Sequence, residues 1–161
     1  MREQRTYIGV IGEGICSPEV DQIAEEVGAE LARRGCIVVC GGMGGVMEAA
    51  CRGAKRAGGL TVGILPGNSR KDANEYVDVA IATGMGEARN VLVVKSSQAV
   101  VAVGGRYGTL SEIALALKLG VPVVGLDTWQ LYRQGELDDG VVPVTTTQDA
   151  VEVAIALASS R

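Results

Sequence analysis

Short apolar runs alternate with longer amphipathic segments along most of the chain. The apolar runs predict six strands, at 7–11, 36–40, 60–65, 77–82, 98–103 and 121–126. The amphipathic segments predict five helices, at 18–34, 43–57, 87–96, 110–119 and 148–159. Strands that alternate with helices form parallel sheets covered by helices on both faces. The pattern therefore predicts a single α/β domain over residues 1–161.

Clusters of glycine follow three of the predicted strands. They are Gly12 and Gly14 after the first strand, Gly41, Gly42, Gly44 and Gly45 after the second, and Gly104, Gly105 and Gly108 after the fifth. In a Rossmann-like three-layer fold, the carboxyl ends of the parallel strands meet at one edge of the sheet, where ligands bind. Backbone N–H groups at strand-to-helix turns are free to bind an anion. The clusters therefore predict a site for a small phosphorylated ligand.

The segment 103–112 combines glycines with Arg106, Thr109 and Glu112 where a strand gives way to a helix. Thr109 suits either a helix cap or a hydroxyl contact to phosphate, and Arg106 suits either phosphate or solvent. Glu112 is expected in the first helical turn, either as a helix-start carboxylate or as a group that acts on the ligand. Glu48 is likewise expected near the start of the second predicted helix. It suits either a favourable interaction with the helix dipole or a contact with the ligand.

Arg89 and Asn90 follow a glycine-containing turn at the start of the predicted helix 87–96. A cation is unfavourable near the positive end of a helix dipole. Arg89 is therefore expected to have an anionic partner. That partner is either a surface carboxylate or the phosphate or carboxylate group of a ligand.

The composition excludes several classes of protein. The chain has no histidine, which excludes Ser-His-Asp triads and histidine metal sites. The formal net charge is -4 and the basic residues are scattered, which argues against nucleic acid as a partner. No apolar run is long enough to span a membrane and no signal peptide is recognisable, so a soluble cytoplasmic protein is expected.

The four cysteines, Cys16, Cys36, Cys40 and Cys51, contain no C-x-x-C pair. They are interpreted as small buried hydrophobic residues, with a metal site or a catalytic thiol as the alternative, and no metal ligand set is predicted. The glycine spacing matches neither the G-x-G-x-x-G fingerprint nor the P-loop. NAD-dependent oxidoreductases and P-loop nucleotide hydrolases are therefore not expected.

Three motifs resemble those of the LONELY GUY (LOG)-like Rossmann superfamily, whose members have often been labelled lysine decarboxylases. The motifs are Gly41-Gly42-x-x-Gly45-Val46-Met47-Glu48-Ala49, Arg89-Asn90 and Gly104-Gly105-Arg106-Tyr107-Gly108-Thr109-Leu110-Ser111-Glu112. The resemblance runs from about Tyr7 to Asp127. It is strongest to a short branch that includes molybdenum cofactor carrier proteins and DprA-related proteins. It implies a Rossmann-like fold and a homo-oligomer, either a dimer or a tetramer.

The phosphoribohydrolases of this superfamily cleave the N-glycosidic bond of a nucleoside 5′-monophosphate, which activates cytokinins. They use an arginine and the last glutamate of P-G-G-x-G-T-x-x-E. The resemblance implies that Arg89 and Glu112 are the catalytic residues if this chain is such a hydrolase, with the glycine loops and Thr109 holding the phosphate. A carboxylate near the ribose can stabilise an oxocarbenium-like transition state or activate water.

The chain departs from the hydrolase motif at four places. Val103 replaces the motif proline, and two residues instead of one separate Gly105 from Gly108. Asn90 replaces a lysine, and Ser111 replaces the first of two adjacent glutamates. These changes favour a binding or carrier protein for a phosphorylated nucleotide or a molybdopterin-type ligand, with no required cofactor. The LOG-type hydrolase is the alternative, and lysine decarboxylase activity is not expected.

Overall fold

The structure is a computed structural model that describes residues 4–160. Its helices are α1 (Pro18–Arg33), α2 (Val46–Arg56), α3 (Asn90–Lys95), α4 (Tyr107–Lys118) and α5 (Thr147–Ser159). Its strands are β1 (Tyr7–Gly12), β2 (Ile37–Cys40), β3 (Thr61–Leu65), β4 (Val79–Ala82), β5 (Ala99–Val103), β6 (Val123–Leu126), β7 (Leu131–Arg133), β8 (Glu136–Asp138) and β9 (Val141–Val144). Two 3₁₀ turns, Arg70–Asp72 and Gly86–Arg89, lie in the connections.

Seven strands form one sheet in the order β4-β3-β2-β1-β5-β6-β9. All of their pairings are parallel, which confirms the predicted α/β, Rossmann-like fold. The chain winds outward from β1 in one direction and from β5 in the other. A topological switch point therefore lies between these two neighbouring strands, and a crevice opens there at their carboxyl ends.

Aliphatic side chains fill both faces of the sheet. Helices α1, α2 and α5 bury residues such as Leu31, Ala50 and Val151 on one face. Helices α3 and α4 bury Val94 and Ile113 on the other. The central strands β2 and β5 are buried throughout, which explains why their sequences lack polar alternation. Within residues 4–160, no helix combines the length and apolar character that crossing a bilayer requires.

Helix α4 begins at Tyr107, three residues before the predicted start at Leu110. Gly104 and Gly105 both have positive φ angles, so the chain completes its turn within these two residues and the helix can begin early. As a consequence, Glu112 lies in the second helical turn. The prediction that it lies in the first turn is wrong.

The sequence pattern did not predict β9 or the antiparallel hairpin of β7 and β8. The hairpin strands have only three residues each, which is too short for a recognisable alternation. Strand β9 contains Pro143, which disfavours a strand unless it lies at the edge of a sheet, where β9 lies. The predicted helix 87–96 divides into the 3₁₀ turn and α3.

Glycines allow α1 and α2 to pack against each other at very short range. A Cβ atom at Gly28 would lie 1.9 Å from the Ala50 carbonyl oxygen, and one at Gly53 would lie 1.9 Å from the Glu25 carbonyl oxygen. Across the same contact, the Arg52 Nε donates to the Glu25 carboxylate at 2.7 Å. This packing fixes the position of α2, and with it the glycine loop that precedes α2.

Replacing Gly28 with alanine is expected to destabilise the protein by about 1–3 kcal/mol, because the new methyl group overpacks the helix contact. Helix propensity alone predicts the opposite sign, a gain of roughly 0.5–1 kcal/mol. Urea unfolding followed by circular dichroism measures the difference. Gly108→Ala is the matched control, since a Cβ there meets nothing within 4 Å and stability should not fall. A stabilised Gly28→Ala variant would contradict the close contact.

Candidate functional site

A cavity of about 660 Å³ opens at the carboxyl edge of the sheet, over the crevice between β1 and β5. Its walls are the loops after β1 and β2, the turn before α3 and the start of α4. Ten of the residues predicted from the sequence line it, namely Gly12, Gly14, Gly41, Gly44, Arg89, Asn90, Arg106, Gly108, Thr109 and Glu112. The volume is typical of sites for small molecules.

The start of α4 presents free backbone donors to this cavity. Arg106 is the N-cap residue, and its side chain does not cap the helix. The first backbone hydrogen bond of the helix runs from Leu110 N–H to the Arg106 carbonyl, at 2.9 Å. Within the described part of the chain, the N–H groups of Tyr107, Gly108 and Thr109 therefore have no acceptor. These donors and the positive end of the helix dipole favour an anion in the cavity.

Arg89 is a buried cation that faces the cavity from the turn before α3. Its Nε donates to the Ile64 carbonyl at 2.8 Å, its Nη2 to the Gly41 carbonyl at 3.5 Å, and its Nη1 to Asn90 Oδ1. These acceptors are all neutral. Arg89 forms no ion pair with any residue between 4 and 160. The surface ion pair considered from the sequence is therefore not formed, and the charge is available to an anionic ligand.

Gly41 makes room for the guanidinium of Arg89. A Cβ atom at position 41 would lie 2.7 Å from Arg89 Nη2 and 2.7 Å from Met47 Sδ. Any side chain at this position would displace the guanidinium or the methionine. Gly41 is thus required by the close approach of Arg89.

Glu112 extends from α4 into the same cavity and is only 9% exposed. Side chains on a helix lean toward its N-terminus, so the carboxyl group lies over the turn that carries the free donors. Burial raises the pKa of Glu112 to about 7, with Arg89 opposing the shift and Glu87 adding to it. Near neutral pH the group therefore exists in both its neutral and its charged form, which suits proton transfer.

Glu13 lines the cavity and was not singled out from the sequence. It lies between Gly12 and Gly14, and its carboxylate is 3.5 Å from the Arg106 Nε. The Arg106 side chain is 85% exposed, so this ion pair is weak and an anionic ligand can replace it. A carboxylate inside a glycine cluster is the signal that could have identified Glu13.

One wall of the cavity is apolar. Ile15, Met43 and Met47 contribute to it, and Ile15 is 89% exposed. Flexible methionine side chains and an exposed aliphatic side chain can cover the face of a planar ring. None of the three was predicted from the sequence, although Met43 lies within the glycine loop after β2 and Met47 lies in the first turn of α2.

Five of the predicted site residues do not line the cavity, namely Gly42, Gly45, Glu48, Gly104 and Gly105. Gly45 allows the start of α2 to pack closely against the loop after β1, since a Cβ there would lie 2.2 Å from the Glu13 carbonyl oxygen. Gly105 serves the turn before α4 and has a φ angle of 107°. Glu48 lies in the first turn of α2, where a carboxylate favours the helix dipole.

The loop after β6 supports the glycine turn from outside. Trp129 Nε1 donates to the Arg106 carbonyl at 3.3 Å, and Thr128 Oγ1 donates to the Gly104 carbonyl. The rings of Trp129 and Tyr107 lie 5.9 Å apart, at a distance typical of aromatic pairs. These contacts connect the start of α4 to the loop after β6.

The chain belongs to the LOG-like Rossmann superfamily, as the resemblance predicted. Within that superfamily, the chain belongs to the SLOG cluster4 family. The model of this family matches residues 5–154.

Two solved structures are similar to the chain over nearly its whole length. The molybdenum cofactor binding protein of the phototrophic bacterium Rippkaea orientalis is 37% identical, with a TM-score of 0.87, over 97% of this chain and 99% of that one. The molybdenum cofactor carrier protein of Chlamydomonas reinhardtii is 35% identical, with a TM-score of 0.85, over the same shares. The cytokinin riboside 5′-monophosphate phosphoribohydrolase of Mycobacterium tuberculosis is 33% identical over 84% of this chain and 80% of that protein.

The contribution of Glu112 to the stability of the protein is expected to fall as the pH rises from about 4.5 to 7. In this range the unfolded chain releases the proton of Glu112 while the folded protein retains it. The charged carboxylate then costs up to about 3 kcal/mol above pH 7. Glu112→Gln removes this cost, so the variant should gain stability over the natural protein at pH 8 and differ little from it at pH 4.

Urea unfolding at both pH values measures this effect. Glu152→Gln, which changes an exposed glutamate of α5, serves as the control and should show no such dependence on pH. An equal effect of Glu112→Gln at pH 4 and pH 8 would be inconsistent with the raised pKa.

Proposed function

We propose that this protein binds and carries a small molecule that has both a phosphate group and a planar heterocycle. The candidates are a molybdopterin-type ligand and a nucleoside monophosphate. One observation carries the proposal: the free N–H groups of Gly108 and Thr109 and the buried guanidinium of Arg89 converge on one cavity. Between residues 4 and 160, these N–H groups have no acceptor and the guanidinium forms no ion pair.

The two walls of the cavity suit the two parts of such a ligand. The phosphate binds at the start of α4, where Thr109 adds a hydroxyl group to the backbone donors. Arg106 then exchanges its weak contact with Glu13 for a contact with the phosphate. The heterocycle lies against the apolar wall formed by Ile15 and its methionine neighbours.

The protonation state of Glu112 fits a bound phosphate. A negative charge placed beside this carboxyl group favours its neutral form, so binding is accompanied by uptake of a proton near neutral pH. The neutral carboxyl group then donates a hydrogen bond to the ligand instead of repelling it.

The relatives support the carrier proposal. The two solved proteins described above are named for binding or carrying the molybdenum cofactor. The chain also departs from the hydrolase motif at Val103, Asn90 and Ser111. The Ser111 hydroxyl donates to the Gly108 carbonyl at 2.6 Å, so its role is local to the helix.

The purified protein is expected to bind the molybdenum cofactor released from a molybdoenzyme, and Arg106→Ala should weaken binding by about tenfold or more. The reason is the loss of a charge-assisted hydrogen bond to the phosphate. Occupancy is measured from the fluorescence of the oxidised pterin extracted after gel filtration. AMP and GMP are titrated in parallel by calorimetry.

Lys118→Ala is the matched control, because it removes an exposed cation from the other end of α4. The Lys118→Ala variant should bind the cofactor with the same affinity as the natural protein. Absence of binding to the cofactor and to both nucleotides at millimolar concentration would contradict the proposal.

A second candidate function is the phosphoribohydrolase. The observation in its favour is that Arg89 and Glu112, the pair implied by the hydrolase motif, both line the cavity and are both buried. A carboxylate next to the ribose could assist cleavage of the N-glycosidic bond. The similarity to the Mycobacterium tuberculosis enzyme supports this candidate as well.

If the protein is a hydrolase, AMP or a cytokinin ribotide should release free base, and Glu112→Gln should lower the rate by at least about 100-fold. Liquid chromatography of the free base measures the reaction. Binding of AMP without any release of adenine would exclude the hydrolase and leave the carrier.

A further inference from the structure

Two buried thiols face each other beneath the wall of the cavity. Cys40 is the last residue of β2 and Cys51 lies in α2. Their Sγ atoms are 3.4 Å apart, and both side chains are 0% exposed. From the sequence, the cysteines were interpreted as small buried hydrophobic residues, with a metal site or a catalytic thiol as the alternative. That interpretation accounts for the burial of Cys36 but not for a pair in direct contact.

The surroundings of Cys40 favour a negative sulfur atom. Gly42 N–H donates to the Cys40 Sγ at 3.3 Å, and the Cys51 thiol is in hydrogen-bond contact with the same atom. The hydrogen bonds from Cys51 and Gly42, together with the nearby Arg89 charge, lower the pKa of Cys40, although burial and the Glu112 charge act in the opposite direction. In contrast, burial raises the pKa of Cys36.

The pair is linked mechanically to the loop that forms the cavity wall. Cys40 directly precedes Gly41, which carries the carbonyl group that accepts from Arg89. The Asn74 side chain donates to the Gly42 carbonyl at 3.3 Å and to the Met43 carbonyl at 2.8 Å. A change at the Cys40 sulfur is therefore transmitted to the position of this loop.

We propose that Cys40 and Cys51 form a reversible disulfide when the protein meets a hydroperoxide, and that this bond alters the glycine loop at the cavity. A disulfide requires the sulfur atoms to approach to about 2.05 Å, so β2 and α2 shift toward each other locally. Gly42 N–H then loses a thiolate acceptor. This inference goes beyond the proposed function and does not depend on which ligand the protein binds.

The reaction balances with hydrogen peroxide as the oxidant. The Cys40 thiolate attacks one peroxide oxygen, the S–O bond forms as the O–O bond breaks, and the leaving hydroxide takes a proton to become water. The Cys51 sulfur then attacks the resulting sulfenic acid. The S–S bond forms, the S–O bond breaks, and the departing hydroxide takes the Cys51 proton. Two thiols lose two electrons, and one peroxide becomes two waters.

The bond can be mapped because Glu48 lies between the two cysteines. Cleavage after glutamate separates a peptide of residues 31–48, which carries Cys36 and Cys40, from a peptide of residues 49–75, which carries Cys51. After treatment with peroxide, blocking of free thiols and denaturation, the two peptides are expected to remain linked. The linked mass should be lower by two hydrogen atoms, and dithiothreitol should separate the peptides.

Two variants assign the linkage. Cys36→Ala leaves the pair intact and should give the same linked peptides, whereas Cys51→Ala should give none. A heteronuclear NMR spectrum of the natural protein provides a readout that needs no variant. The Gly42 amide signal should shift on oxidation and return on reduction, while the signal of Gly135, in the turn between β7 and β8, should not move.

Any of the following results would overturn the proposal. Recovery of both thiols unmodified after prolonged peroxide treatment would show that the pair does not react. Conversion of Cys40 to sulfinic acid without linkage, or linkage to Cys16 or Cys36, would show that Cys51 is not the resolving residue. A disulfide that leaves the Gly42 amide signal unchanged would remove the link to the cavity.

Discussion

The site depends on the way the protein buries the guanidinium of Arg89. A buried cation is costly unless its donors are satisfied, and the chain satisfies them with carbonyl groups from the end of β3 and the loop after β2. The acceptors hold the side chain in place but are all neutral, and the guanidinium forms no ion pair with any residue between 4 and 160. The guanidinium can therefore form its ion pair with an anionic ligand. Gly41 is part of the same arrangement, because its missing side chain gives the guanidinium its space.

The two arginines of the cavity have different physical roles. Arg89 is fixed by neutral acceptors and buried, so it offers a charge that needs no reorganisation when a ligand binds. Arg106 is exposed, and its contact with Glu13 is weak. It can change partners at little cost in free energy, which makes it suited to closing over a ligand that has already reached the start of α4.

The sequence predicted the sheet well where burial leaves a clear pattern, as in β2 and β5. It failed for β9 and the hairpin, because three-residue strands and a proline leave no periodic signal. For the site, the glycine clusters correctly indicated the edge of the sheet where the cavity lies. They could not separate glycines that border the cavity from those, such as Gly45 and Gly105, that serve packing or a turn. A missing side chain is visible in the sequence, whereas the atom that occupies the vacated space is known only from the fold.

The choice between carrying and cleaving a ligand turns on the charge of Glu112. Cleavage of an N-glycosidic bond uses a carboxylate that faces a developing positive charge at the ribose. Here burial already moves the pKa of Glu112 to about 7, and a phosphate bound at the adjacent helix start, as proposed, would move the balance further toward the neutral acid. A neutral carboxyl group can donate a hydrogen bond to the ligand but gives little stabilisation to an oxocarbenium ion. The electrostatics of the occupied cavity therefore favour retention of the ligand over its hydrolysis.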